Sequence, residues 1–108
     1  MNRVLKIYLN DIIADHKLAS NMINSACSHE HAMKVTGCCR HNDVLLVMLE
    51  EHPASSPAMQ YVLAPLPEGG ADELIGEISS RYFAGFTTFG AFELCGNPWG
   101  LFGRVQTA

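Results

Sequence analysis

The first alternation of apolar and polar positions falls at residues 3–9, RVLKIYL. Leu5, Ile7 and Leu9 share one parity, and Lys6 and Tyr8 take the other, which predicts a half-buried strand. Asn10, Asp11 and Asp15 then offer helix N-caps. From Leu18 the period lengthens. Leu18, Ala19, Met22, Ile23, Ala26 and Cys27 recur at three- and four-residue steps, with Ser20, Asn21, Asn24 and Ser25 opposite. That predicts an amphipathic helix over about 15–28. Asn and Ser are weak helix formers, so packing has to stabilise it. MKVTGCC at 33–39 predicts a strand, and Arg40 to Asp43 a turn. DVLLVMLEE, from Asp43 to Glu51, is continuously apolar in its middle. Such a run predicts a central strand buried on both faces.

HPASSPA at 52–58 predicts a loop. A strand follows from Met59 to Ala64, and Pro65 to Gly70 turn. Ala71, Leu74, Ile75, Ile78 and Tyr82 form the apolar stripe of a second helix. Its polar face carries Asp72, Glu73, Glu77 and Arg81, and acids first and arginine last suit the helix dipole. Gly85 is a natural stop. FTTFGAFEL at 86–94 predicts a strand, Cys95 to Pro98 a turn, and Trp99 to Val105 a last strand.

The two stretches 1–52 and 59–108 therefore repeat one order: strand, helix, strand, turn, strand. Met22, Ile23 and Ala26 match Leu74, Ile75 and Ile78 at an offset of 52, and Thr36-Gly37 and Phe89-Gly90 fall near it. A tandem βαββ duplication and a chance recurrence of order both fit. The fold class expected is α+β in one domain, 1–108. Two helices would cover one face of a mainly antiparallel sheet of about six strands, in a ferredoxin-like arrangement. This element order is similar to that of small ferredoxin-like regulators such as the nitrogen-regulatory PII class. The likeness implies a signalling loop at 52–58; no site residue is transferred from it.

Charge changes the picture by its scarcity. Charged residues are 17% of the chain and the net charge is −4, against a charged fraction of ~25% in an ordinary soluble domain. Residues 1–54 carry −1 and 55–108 carry −3. The seven Lys and Arg are scattered from Arg3 to Arg104, which argues against nucleic acid as a partner. No apolar run approaches the ~20 residues of a membrane span. The first residues turn polar at once, unlike a signal peptide. A cytoplasmic protein with four reduced cysteines is expected.

The scarcity is local. Between Tyr82 and Gly103 the only charge is Glu93, and seven of the nine aromatics lie there. Phe86 and Phe92 share one strand parity and Phe89 takes the other, so both faces are apolar. Three destinations are open: an internal core, a self-association surface, or a small-molecule pocket. Phe86, Phe89, Phe92, Glu93, Trp99, Phe102 and Arg104 are the candidate ligand or interface residues. The glycines at 100 and 103 permit close approach by a ligand or backbone. Arg104 could hold an anion or pair with Glu93 across the hairpin.

Two weaker constellations carry possible chemistry. His29, His31, Cys38 and His41 are metal-ligand types, although their spacing fits no finger or ribbon. The bland alternative makes Cys27 and Cys39 small core residues and places the histidines on a surface loop. Cys38-Cys39 beside His41 and Asp43 supplies a nucleophile and a base, but vicinal cysteines on a strand point to opposite faces. Pro65 to Gly70 is read as an ordinary turn, since Glu68, Asp72 and Glu73 would repel an anion.

The expectation is a small non-enzymatic module, without cofactor, that forms a homo-oligomer, a dimer being favoured. It binds a small ligand or a protein partner. The alternative is a small cofactor-free or metal-dependent enzyme with a pocket under the C-terminal aromatic hairpin.

Overall fold

Strand β1 (Arg3–Tyr8) leads into the short helix α1 (Leu9–Ala14) and then α2 (His16–Ser28) in the computed structural model. The model describes residues 2–28, 32–51 and 58–106; His29, His31 and all but the last residue of the loop expected at 52–58 lie outside them. Asp15 separates the helices in an extended conformation, φ −161°. Its Oδ1 accepts the N–H groups of Lys17 and Leu18 at 3.1 and 3.2 Å. Two otherwise unpaired donors of α2 are thereby satisfied. Strands β2 (Met33–His41) and β3 (Val44–Glu51) complete the first half. The second half comprises β4 (Met59–Pro65), α3 (Ala71–Phe83), β5 (Thr87–Leu94) and β6 (Asn97–Val105).

The strands do not form one six-stranded sheet. They form two antiparallel sheets of three, in the orders β1-β3-β2 (sheet A) and β4-β6-β5 (sheet B). In each half the last strand lies between the other two. Local irregularities also coincide. Both hairpins turn on two residues, and the first of each, Asn42 and Cys95, has φ 54°. Both inner-edge strands carry a register shift six residues earlier, between Val35 and Gly37 and between Thr88 and Gly90. Such a bulge inserts an unpaired residue and bends the strand.

The bulges explain why the sheets stay separate. β2 and β5 run beside each other, and they meet just past their bulges, at Cys38 and Gly90. A Cβ on Gly90 would lie 2.7 Å from Cys38 Sγ and 3.4 Å from Cys38 N. Only glycine allows this approach, and the kinked backbones do not continue a ladder. The six strands thus follow one another as β1-β3-β2, a break, then β5-β6-β4.

Helix placement departs from expectation as well. The described residues form three helices, and α2 and α3 do not share one face of one sheet. Ile23 and Cys27 of α2 pack with Ile7, Val35, Leu45, Val47 and Leu49 of sheet A, and one face of sheet B joins the same core through Tyr61, Leu63, Phe92 and Leu101. The opposite face of sheet B forms a second cluster, Ala64, Leu66 and Phe102, against Leu74 of α3. β3 is central, as predicted, but it alternates. Leu45, Val47 and Leu49 are buried while Val44, Leu46 and Met48 are half-buried, because no described helix covers the outer face of sheet A.

α2 also seals an edge. His16, Ser20 and Asn24 recur every four residues and lie along β4. Leu63 N–H donates to Ser20 Oγ at 2.9 Å, and His16 Nδ1 is 3.3 Å from Leu63 O. Asn24 pairs twice with Tyr61, accepting its N–H at 2.8 Å and donating to its carbonyl at 3.0 Å. One helical turn and two strand residues rise by similar distances, ~5.4–6.7 Å, so a four-residue stripe can serve alternate residues of a strand edge. An edge so occupied cannot pair with another chain.

Candidate functional site

The aromatic hairpin does not present one common outer face. Phe92 and Phe102 are 7% and 0% exposed, and they belong to different cores. Phe89, the bulged residue, turns onto Tyr61 edge to face, with ring centroids 5.5 Å apart. Trp99 meets His16 in the same manner at 5.5 Å. Phe86 packs on the second cluster. Two arginines cap these rings: Arg81 lies 4.5 Å from the Phe102 centroid and Arg104 4.8 Å from that of Phe86. Each guanidinium faces a π-surface and stays partly solvated.

The expected Glu93–Arg104 pair does not form. The register places Pro98 opposite Glu93, and Arg104 opposite Gln60 on β4. Six residues of β6 separate Pro98 from Arg104, about 20 Å of strand. Glu93 is exposed, and its backbone carbonyl accepts from Arg40 Nη1 at 2.6 Å.

The described histidine and cysteine residues do not converge either. Among the described residues no three His, Cys, Asp or Glu side chains are placed to share a metal ion. His41 is exposed, its Nε2 3.4 Å from Asn42 Nδ2. Cys38 is half-buried at the meeting of the two sheets. Burial, and secondarily the neighbouring Cys39, push its pKa up to about 11. Cys27 is buried and likewise raised to about 11 by burial. Both are held as neutral thiols at physiological pH, which makes them poor nucleophiles. Cys39 is exposed rather than a core residue. Tyr61 is raised chiefly by burial, opposed by the Val35 N–H that its hydroxyl accepts at 3.0 Å.

A groove of about 740 Å³ opens at the far end of the strands from the Cys95–Gly96 turn. It lies among the C-terminal half of α2, the start of β2, the start of β4 and Gln106. Its polar lining is Asn21, Asn24, Ser25, Ser28, Gln60 and Gln106, and none of the described lining residues is charged. Cys27, Met33 and Met59 supply an apolar part. Asn24 is already engaged with Tyr61, and Ser28 Oγ donates to the Asn24 carbonyl at 3.0 Å; the amides of Asn21, Gln60 and Gln106 and the Ser25 hydroxyl leave groups available to a ligand. Asn21, Asn24 and Ser25 belong to the polar face that the periodicity predicts opposite the apolar stripe of α2. Their lack of charge was the available signal, since a solvent face is usually written with Lys and Glu, as α3 is. Compared with known proteins, the chain matches no family model, no curated protein and no solved structure.

Proposed function

We propose that the chain is a non-enzymatic module that acts as a homo-oligomer and takes a small, uncharged, hydrogen-bonding ligand in this groove. The observation that carries the reading is the lining: amides and hydroxyls without a charged side chain among the described residues, in a volume suited to a small molecule. Such a surface discriminates by donor and acceptor position. It has no formal charge with which to capture an anion or a cation. Four free cysteines, two of them exposed, support a reducing, cytoplasmic setting. The shared β-α-β-β order supports reading 1–52 and 59–108 as a duplicated unit, of which only the first half builds the α2 wall of the groove.

The test is a titration of isotopically labelled protein, followed by amide NMR, with uncharged polyols and small amides beside carboxylates and amines. Saturable shifts at the side-chain amides of Asn21, Gln60 and Gln106, confined to uncharged compounds, are expected. No saturable shift in the groove, or a preference for the charged compounds, overturns the ligand class.

A further inference from the structure

The stripe of α2 that seals the edge of β4 stops one step short of the groove. α2 and β4 run in opposite directions. His16 and Ser20 lie at the carbonyl and N–H of Leu63, and Asn24, one turn later, takes both groups of Tyr61. Tyr61 and Leu63 therefore turn their peptide groups away from β6. In an antiparallel ladder this direction alternates along the strand. Met59, two residues before Tyr61, thus turns its N–H and C=O outward as well. Its neighbours fit the alternation. The Ala58 carbonyl accepts the Gln106 N–H at 2.9 Å, on the β6 side. Pro65, which has no N–H to offer, continues the outward set.

The residue of α2 in line with Met59 is Ser28, one turn beyond Asn24. Its hydroxyl is used within the helix: Oγ donates to the Asn24 carbonyl at 3.0 Å, with the Ser25 carbonyl at 3.4 Å. No described residue bonds to the outward N–H or C=O of Met59. Met59 and Ser28 both line the groove. A free donor and a free acceptor of one residue thus stand side by side in its wall. The molecule itself carries the pattern for what fits them. Asn24 accepts the Tyr61 N–H through Oδ1 at 2.8 Å and donates to the Tyr61 carbonyl through Nδ2 at 3.0 Å. A carboxamide holds its acceptor and its donors on one carbon. A carboxylate matches the N–H but opposes the carbonyl, and an ammonium does the reverse. An added strand needs several open edge residues in succession, and the next two, Tyr61 and Leu63, are already taken by α2.

We infer that the groove recognises a primary carboxamide, held by the N–H and C=O of Met59 as Asn24 is held by those of Tyr61. This rests on the reading of the groove as a site for an uncharged ligand and names the group it recognises. Cys27, Met33 and Met59 take the apolar part attached to that group. A small free amide and the side chain of an Asn or Gln residue in a peptide share this chemistry.

Butyramide, titrated into labelled protein and followed by amide NMR, tests it. A saturable downfield shift of the Met59 N–H is expected. Affinity is expected to exceed at least tenfold that of N,N-dimethylbutyramide, which has no donor, and that of butyrate. Acetyl-Ala-Gln-Ala methylamide distinguishes the sources: tighter binding than butyramide assigns the carboxamide to a peptide side chain, and weaker binding assigns it to a free molecule. Ser28→Asn places a carboxamide one turn beyond Asn24. It is expected to slow hydrogen exchange of the Met59 amide at least tenfold and to weaken butyramide binding by the same factor. Met59→Pro removes the N–H and is expected to bind at least tenfold less tightly than Met59→Ala, with circular dichroism checking that both are folded. Saturable shifts in the groove that spare Met59, equal affinity for the dimethyl amide, or a Ser28→Asn protein that binds as the wild type does, leave the uncharged-ligand reading standing and overturn the carboxamide. No saturable shift with butyramide, the peptide or glycerol, or a preference for butyrate, overturns both.

Discussion

α2 and α3 occupy the same place in the order of their halves and have the same length, yet α2 buries Ala19, Ser20, Ile23 and Cys27 while α3 buries no residue. Ile23 of α2 is 0% exposed; Ile75 of α3 is 62% exposed. The composition of each helix fits its surroundings. α2 has a single Lys or acid, Lys17, and lines its second face with Ser20 and Asn24, short side chains able to reach a backbone. α3 has three acids and an arginine. A helix between two sheets needs polar groups that bond to a strand, while a helix on the outside needs groups that bond to water or to a partner. The comparison shows that similar halves are distinguished by which side of the bend each helix occupies.

The largest expected effect breaks the comparison at its apolar centre. Ile23→Ala is expected to lower stability by about 2–5 kcal/mol in urea unfolding, and Ile75→Ala to leave the monomer within ~0.5 kcal/mol of wild type. Equal losses would mean that α3 is covered within the chain. Next is the edge of β4. Asn24→Ala removes both bonds to Tyr61 and leaves two backbone groups unpaired, costing about 2–3 kcal/mol. Hydrogen exchange at the Tyr61 amide is expected to accelerate with it. Ser79→Ala, on the exposed face of α3, is expected to change neither quantity. The smallest contrast concerns the two bulges. Gly90→Ala brings a Cβ to 2.7 Å from Cys38 Sγ and 3.3 Å from its carbonyl oxygen, and about 1–2 kcal/mol of destabilisation is expected. Gly37→Ala finds its nearest atoms at 3.6 Å and should be tolerated. If Gly37→Ala proves the costlier in urea unfolding, the close approach of the sheets is not what selects glycine at 90.

Much of the local structure was legible in the residues. The alternation at Leu5 and Ile7, the apolar run of β3 and the acid-first pattern of α3 each reported an element, since each depends on neighbours along the chain. Thr36-Gly37 and Phe89-Gly90 could be matched by spacing, although nothing in them says bulge rather than strand. The split into two sheets was not legible, because it depends on β2 and β5 meeting at Cys38 and Gly90 across 52 positions. The aromatic hairpin misled for a related reason. Phe92 and Phe102 stand together among the candidate ligand or interface residues, whereas the strands direct them to opposite sides of sheet B. In the candidate groove, Asn21 and Ser25 were visible as a polar face, but Gln60 and Gln106 join them only through the pairing of β4 with β6.

The stripe of His16, Ser20 and Asn24 has a consequence for the order of events during synthesis. Translation runs from the first half to the second, so α2 leaves the ribosome before β4 does. The side chains that receive the β4 edge are therefore made ahead of the strand they receive. β4 is spared a long interval as an open template, when nascent strands are prone to pair with the wrong chain. Reversing the halves in a permuted gene would keep every contact in the final fold but expose that strand first, and the cost would appear as a lower yield of soluble protein rather than as a lower melting temperature.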